Sequence, residues 1–337
     1  MLRTVLGCAL FLAPSSAHAL SCGDTITSSV TLTADLHCTT GFEALYVTTP
    51  GITIDLNGHT LSGTSALRGI RVLDAGVVTI RNGTIHGFWG GITGLRAHKI
   101  HIENVTFKEL GVAISLNYTA DARIVGNRFS AMTGGDTISF ATPTGAGYGA
   151  AGGHIVDSNY FEDVFTGISV CGYDNRGLRI TKNEMLLVHD YGIHAFDGSG
   201  AHYMAGNIIS SVENTGVVLR ASSDNEITGN VIRKGRLGLA FIPELTGFCR
   251  NGPVLDPYVS GNLVDGNTIA DLDGGLTLGL GSSSKALVFK NNIHFNKIYD
   301  DLTGIYFRED AQYNDATGNA YSGTATPVVD MGSGNTY

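Results

Sequence analysis

Between residues 173 and 236 the sequence carries Tyr173-Asp174, His189-Asp190-Tyr191, His194, Asp197, Arg220, Lys234 and Arg236. These are the types that move protons and hold negative charge. Histidine titrates near neutral pH and suits proton abstraction. A guanidinium or ammonium group placed where an anion develops stabilises it. Tyrosine can return a proton, and a pair of aspartates is an alternative acid–base device. Residues this far apart in sequence act together only if the fold stacks them.

The stacking device is an internal repeat. The segments IVGNRF from Ile124, VDSNYF from Val156, ITKNEM from Ile180 and MAGNII from Met204 share one pattern. ITGNVI from Ile227, VDGNTI from Val264 and ATGNAY from Ala316 continue it, and a looser copy contains Asn292. IRNGTI from Ile80 and IENVTF from Ile102 shift the Asn by one place. A second segment, Gly followed by alternating apolar residues, starts at Gly69, Gly91, Gly111, Gly167, Gly192, Gly216, Gly238, Gly275 and Gly304. Steps between these glycines cluster at about 20 to 25 residues, the period of a solenoid. Short strands of period two separated by Gly and Asn turns make it all-β, with no helical crossover. Asn tolerates left-handed backbone, and stacked Asn amides bond to one another, so the Asn set reads as structural.

This pattern resembles the right-handed parallel β-helix proteins of the pectate-lyase-like superfamily, over roughly residues 50 to 325. The resemblance implies a single-stranded right-handed parallel β-helix of about ten rungs. It also implies that the Gly-initiated strands form the floor of a substrate groove, with the Asn ladder at the opposite turn. The first and third residues after each Gly should point inward, the second and fourth outward. The outward set then includes Arg71, Thr93, Ala113, Ser115, Ser169, Cys171, Val218, Tyr306 and Arg308. His194 and Phe196 point outward on one rung and Arg220 on the next. Two long insertions, Ala141 to Gly153 and Pro243 to Asn262, bracket these rungs, as functional loops on a rigid scaffold often do.

Lyases and C5-epimerases of the resembled superfamily abstract the proton beside a uronate carboxylate. On that footing His194 is the base, Tyr191 the acid and Arg220 the neutraliser. Lys234, Arg236, His189 and Arg308 are candidate substrate contacts, and Trp89, Phe196 and Tyr306 offer rings to stack on sugars. The expected activity is a polysaccharide lyase or epimerase acting on an acidic polysaccharide. The first alternative is a glycoside hydrolase using Asp174 and Asp197. The second is a non-catalytic carbohydrate-binding, adhesive or metal-handling β-helix. The adjacent-Asp and Asn-Thr-Asp motifs of polygalacturonases, the Asp-Pro-His motif of alginate epimerases and the tryptophan-bearing motifs of pectate lyases are absent from the sequence. No cofactor is required by the pattern. A Ca²⁺ edge formed by Asp271, Asp273, Asp300 and Asp301 is the weaker metal reading, against a solvated acidic edge.

Composition narrows the partners. The 337 residues include 46 Gly, only 15% are charged, and 30 acids against 21 bases give a net charge of −9. Disordered chains and coiled coils carry more charge, and nucleic-acid binders carry a basic excess. The expected partner is a polysaccharide, with no nucleic acid, no membrane and a monomeric chain. Residues 1–19 read as a signal peptide: Arg3, an apolar run from Val5 to Ala13, then Ala17-His18-Ala19. The reading divides the rest into an N-terminal cap (20–50), the β-helix (51–325) and a tail (326–337), secreted or periplasmic. Cys22, Cys38, Cys171 and Cys249 remain, an even count that suggests disulfides in an exported chain. Cys22 and Cys38 are near neighbours and leave Cys171 for Cys249; four buried thiols are the alternative. The stretch from Ile242 to Cys249 reaches about 23 Å when extended, more than three strand spacings of about 14 Å. The second bond is therefore within reach and would hold the insertion over Asp197 and Arg220.

Overall fold

The structure is a computed structural model that describes residues 20–142, 151–247, 249, 256–279 and 287–337. The segment read as a signal peptide, most of the first insertion and part of the second lie outside the described residues.

The chain winds into a parallel β-solenoid of about twelve turns, slightly more than the expected ten. Each turn contributes strand to three faces, as three short strands or with two faces joined in one longer strand such as Ile208–Arg220 or Val231–Ile242. Every pairing between turns is parallel, and corresponding residues of successive turns stack in columns. On the first face Ile70, Ile92, Ile114, Ile138, Ile168 and Ile193 form one inward column, all fully buried. On the second face Ile80, Ile102, Ile124, Val156, Ile180 and Met204 do the same. On the third, Phe107, Phe129 and Phe161 stack with ring centroids 5.0 and 4.7 Å apart. Each such aliphatic side chain contributes about 1.5–3 kcal/mol by leaving water, and the period-two alternation turns the other residues of each strand away from the core; on Thr166–Cys171 and at Val218 and Ala240 those outward residues are covered as well.

The glycine that opens a first-face strand sits where backbones approach closely. A Cβ on Gly192 would lie 2.5 Å from the carbonyl oxygen of Gly216. The rule is not universal, and this accounts for two departures from the sequence reading. Ile114 registers with Ile92, so Ala113, expected to point outward, takes the glycine position and is buried; the outward residues of that turn are Ser115 and Asn117. The strand Asp136–Ala141 opens on Thr137 in the same role and adds a turn that carries no glycine signal.

The asparagines form a ladder. Asn127, Asn159, Asn183, Asn207, Asn230, Asn267 and Asn296 each donate from Nδ2 to the next Oδ1 at 2.9–3.0 Å, and Asn319 is the last acceptor. The member in the turn assigned to Asn292 is Asn296, and Asn292 is the exposed first residue of a strand. A second column, the buried Asn225, Asn262, Asn291 and Asn314, lies five residues earlier in each turn and ends on the part-exposed Asn335. It continues into His202 and His154. Their Nδ1 atoms accept from the backbone N–H groups of Leu178 and Ala122, as the Asn Oδ1 atoms do for their neighbours.

Both ends are part of the stack. The strands of residues 24–37 pair in parallel with those of 43–62, and Cys22 is bonded to Cys38 with Cα atoms 5.6 Å apart. At the other end Thr326–Asp330 pairs with the strand Thr303–Phe307. No helix of the described residues is long and apolar enough to cross a membrane.

Candidate functional site

The site is built on the first face, on the strand Tyr191–Phe196 and its neighbours. The outward column through its centre runs Ser139, Ser169, His194, Val218 and Ala240. His194 therefore points away from the core, as the alternation requires, but it is half-buried. Its ring stacks on Phe196 at 4.2 Å between centroids and meets Tyr191 at 4.7 Å. Its Nε2 atom is covered and has no hydrogen-bond partner. Burial first, and the charge of Arg220 second, push its pKa down to about 3. At neutral pH the ring is therefore uncharged.

Arg220 registers with Phe196, one strand away and two residues along from His194. Its Nη1 meets Glu244 Oε1 at 3.5 Å, with the two side chains only 19% and 15% exposed. Burial raises the Glu244 carboxyl above its ordinary range and the charge of Asp197 adds to that, while Arg220 opposes it. The pair is thus a screened, adjustable charge rather than a bare cation.

Asp197 follows the same strand and is only 1% exposed. Its Oδ2 accepts from the Cys249 backbone N–H at 2.6 Å. A Cβ on Gly247 would lie 2.8 Å from that oxygen, so the segment reaches the carboxylate only because residue 247 is glycine. Cys171 and Cys249 are joined, with Cα atoms 6.3 Å apart, which fixes the segment over Asp197 as the reach argument required. Asp174 is exposed in the turn after Cys171. The aspartate pair considered for hydrolysis is therefore split. One member faces solvent, and the other is buried under the bridged segment as the acceptor that holds it.

The remaining sequence candidates do not gather on His194. His189 lies between Asp163 at 2.9 Å and Glu213 at 3.0 Å, and bonds to those carboxylates raise its pKa. Lys234 and Arg236 line an open depression with Leu187, Glu213 and Asp273. Arg236 also lines a cleft of about 200 Å³ with Tyr306 and Arg308. Tyr306 shares the column of His194 but is four strands away, roughly 19 Å at the usual strand spacing. Arg308 lies over the Tyr306 ring at 5.0 Å, and Tyr306 donates to Met331 Sδ at 3.0 Å.

Two carboxylates near His194 were not identified from the sequence. Asp136 opens the strand in which Thr137 takes the glycine position, so no outward position was assigned to it. Burial raises its pKa, Asp190 adds to that, and bonds to Ser169 and Ser139 oppose it. Ser169 stands directly beside His194 in register. Glu244 belongs to an insertion, where no periodicity indicates direction; the nearby lone acid in an apolar stretch was its only signal. As for metals, among the described residues only Cys171, Asp197 and Cys249 bring three ligand atoms within 4.8 Å of one another, and the two sulfurs are bonded to each other. Asp271, Asp273, Asp300 and Asp301 form no such group.

With this geometry in view, the comparisons with known proteins concern the fold. No curated protein matches the sequence. Among solved structures, a mutant tailspike protein of E. coli bacteriophage HK620 in complex with a pentasaccharide is similar, with a TM-score of 0.62 at 12% identity. The match covers 89% of this chain and 60% of that one, so the chain spans well under two thirds of the tailspike. A mutant of the periplasmic alginate epimerase AlgG gives a TM-score of 0.62 at 13% identity, over 81% of this chain and 75% of that one. The A-module of the Azotobacter vinelandii mannuronan C-5 epimerase AlgE6 gives 0.51 at 13%, over 92% and 90%. These identities carry the fold and leave the chemistry to the site. The family model described as the right handed beta helix region matches residues 27–175 and 166–336. Those spans take in nearly all the described turns, and the chain belongs to that right-handed β-helix family.

Proposed function

We propose that the protein is an exported carbohydrate-active β-helix that abstracts a proton beside the carboxylate of a uronate unit, as a polysaccharide lyase or C5-epimerase. The observation that carries the reading is His194: an outward imidazole, neutral, with an unpartnered Nε2 between two aromatic rings and a guanidinium on the adjoining strand. Two disulfides in the chain support export. Solved structures of the same fold include an alginate epimerase and a mannuronan C-5 epimerase, which supports a uronate as substrate class.

In this reading a substrate carboxylate settles against Arg220. Its negative charge offsets the guanidinium's part of the depression of His194, which is secondary to burial. The His194 imidazole takes the proton from C5, and the charge that spreads into the carboxylate is stabilised by Arg220. In elimination the C4–O glycosidic bond breaks, a C4–C5 double bond forms, and Tyr191 gives its proton to the leaving oxygen. In epimerisation a proton returns to C5 from the other face instead. Phe196 is the stacking ring nearest the base, and Lys234, Arg236, His189, Tyr306 and Arg308 serve only more distant units.

Hydrolysis is a second reading, supported by the raised pKa of Asp136, which suits a general acid. It runs through Asp136 rather than the Asp174 and Asp197 pair. A panel of uronate polymers separates the readings. Ultraviolet absorbance of an unsaturated end marks elimination, and exchange of the C5 hydrogen with solvent marks epimerisation. New reducing ends without absorbance mark hydrolysis, and binding without any of these marks a carbohydrate-binding module.

A further inference from the structure

The first turns hold a second cluster that the His194 chemistry does not use. Tyr46 and Arg71 occupy the outward column that leads to His194, through Thr93, Ser115, Ser139 and Ser169. Around them lies a cavity of about 390 Å³ lined by Phe42, Glu43, Tyr46 and Arg71. Arg71 lies over the Tyr46 ring at 5.8 Å, and Arg68 lies over Trp89 at 5.7 Å. Both guanidiniums share one carboxylate, Glu43, at 2.8 Å from Arg71 and 3.6 Å from Arg68. The cluster therefore keeps an excess positive charge within a protein of net charge −9. Phe42 is 80% exposed and Trp89 50% exposed. Flat rings open to water beside cations suit a sugar face and its carboxylate together.

We infer that these first turns form a remote binding site for an anionic sugar unit, and that one polysaccharide chain spans it and His194. The inference rests on the uronate reading above and adds a second contact to it. Arg71 is five strand spacings from His194 along the column, roughly 24 Å. Of the short side chains between, Ser115 and Ser139 are partly exposed and can bond to sugar hydroxyls, whereas the Thr93 hydroxyl and Ser169 are covered. Length selection follows: oligomers that reach both sites bind more tightly than those that reach one.

Trp89 is the only tryptophan of the chain, so its fluorescence reports this site alone. The test titrates the His194→Ala protein, which removes turnover, with oligogalacturonate, oligomannuronate and neutral cello-oligosaccharides of equal length. The expected result is a saturable change with a uronate oligomer and none with the neutral series. Replacing Arg68 and Arg71 together by Ala should weaken it about tenfold or more, the worth of a charge-assisted bond. If that variant does not fold, Phe42→Ala, a change at an exposed ring, should still weaken binding severalfold. No saturable change with any uronate oligomer, an equal response to neutral ones, or unaltered affinity in the folded variants would overturn the inference. A tryptophan response in a protein that turns over no uronate would leave this site standing while removing the reaction assigned to His194.

Discussion

At the scale of single residues the account turns on one imidazole whose surroundings keep it uncharged. Burial and Arg220 lower its pKa to about 3, so the free protein holds the base form through the whole neutral range. A substrate carboxylate on Arg220 opposes that depression. The acid limb of kcat/KM, which reports the free enzyme, is therefore expected to lie well below the ordinary histidine value of about 6.5. The limb of kcat, which reports the complex, should also lie below the ordinary value, because burial is the larger cause of the depression. Both limbs at the ordinary value, measured in rate profiles on a uronate polymer, would contradict the assignment. His194 was legible because a strict period of two fixes direction from sequence. Asp136 was not, because its strand opens on Thr137 where the repeat elsewhere has glycine. Glu244 sits outside the repeat, so nothing in its spacing says where it points.

At the scale of elements the ladders turn a set of short strands into one body. Asn207 accepts from the backbone N–H of Asn183 and donates to Asn230 Oδ1 and to the carbonyl of Ile180, all in a dry interior. Replacing it by Ala leaves several buried groups without partners, at about 1–3 kcal/mol each. Urea unfolding of Asn207→Ala should show a loss of several kcal/mol. Asn335→Ala, at the last turn and part-exposed, should lose about 1 kcal/mol. Equal losses would mean that burial does not set the value of a rung. The first ladder was readable from its six-residue pattern. The second was hidden because two of its places hold histidine and others Leu178 and Ala122; the signal was an Asn or His five residues before a ladder Asn, as in Asn225 and Asn230. The Cys171–Cys249 bond joins parts of the chain 78 residues apart and holds the Glu244 segment beside Arg220. Replacing both cysteines by Ala should cost about 2–4 kcal/mol by thermal unfolding, and should loosen Glu244 from Arg220, raising KM for a uronate substrate. A fully stable variant with unchanged KM would show the bridge to be idle.

At the scale of the whole molecule the stack carries an acid liability. His154 and His202 are buried in the second column, with pKa values pushed down to about 3, by burial above all. Their native forms are neutral acceptors, whereas the unfolded chain binds protons from about pH 6.5 downward. Stability is therefore full above that value and is lost as pH falls toward 3, about 2 kcal/mol per histidine at pH 5. His202→Asn places the ladder's usual acceptor in the same column. It should match the parent at pH 8 and be about 2 kcal/mol more stable at pH 5, measured by denaturant unfolding at both values. Equal pH dependence would remove the histidines as the cause. The same stacking that imposes this liability also aligns His194, Phe196 and Arg220 on a surface long enough for a polymer, and that alignment is what the functional reading needs. Its most direct test is absorbance of unsaturated ends, together with C5 hydrogen exchange, when the protein is incubated with uronate polymers. The account predicts one of these signals in the parent, reduced about a hundredfold or more in His194→Ala and in Arg220→Ala. A signal that survives both replacements, or turnover that yields only saturated ends, would contradict it.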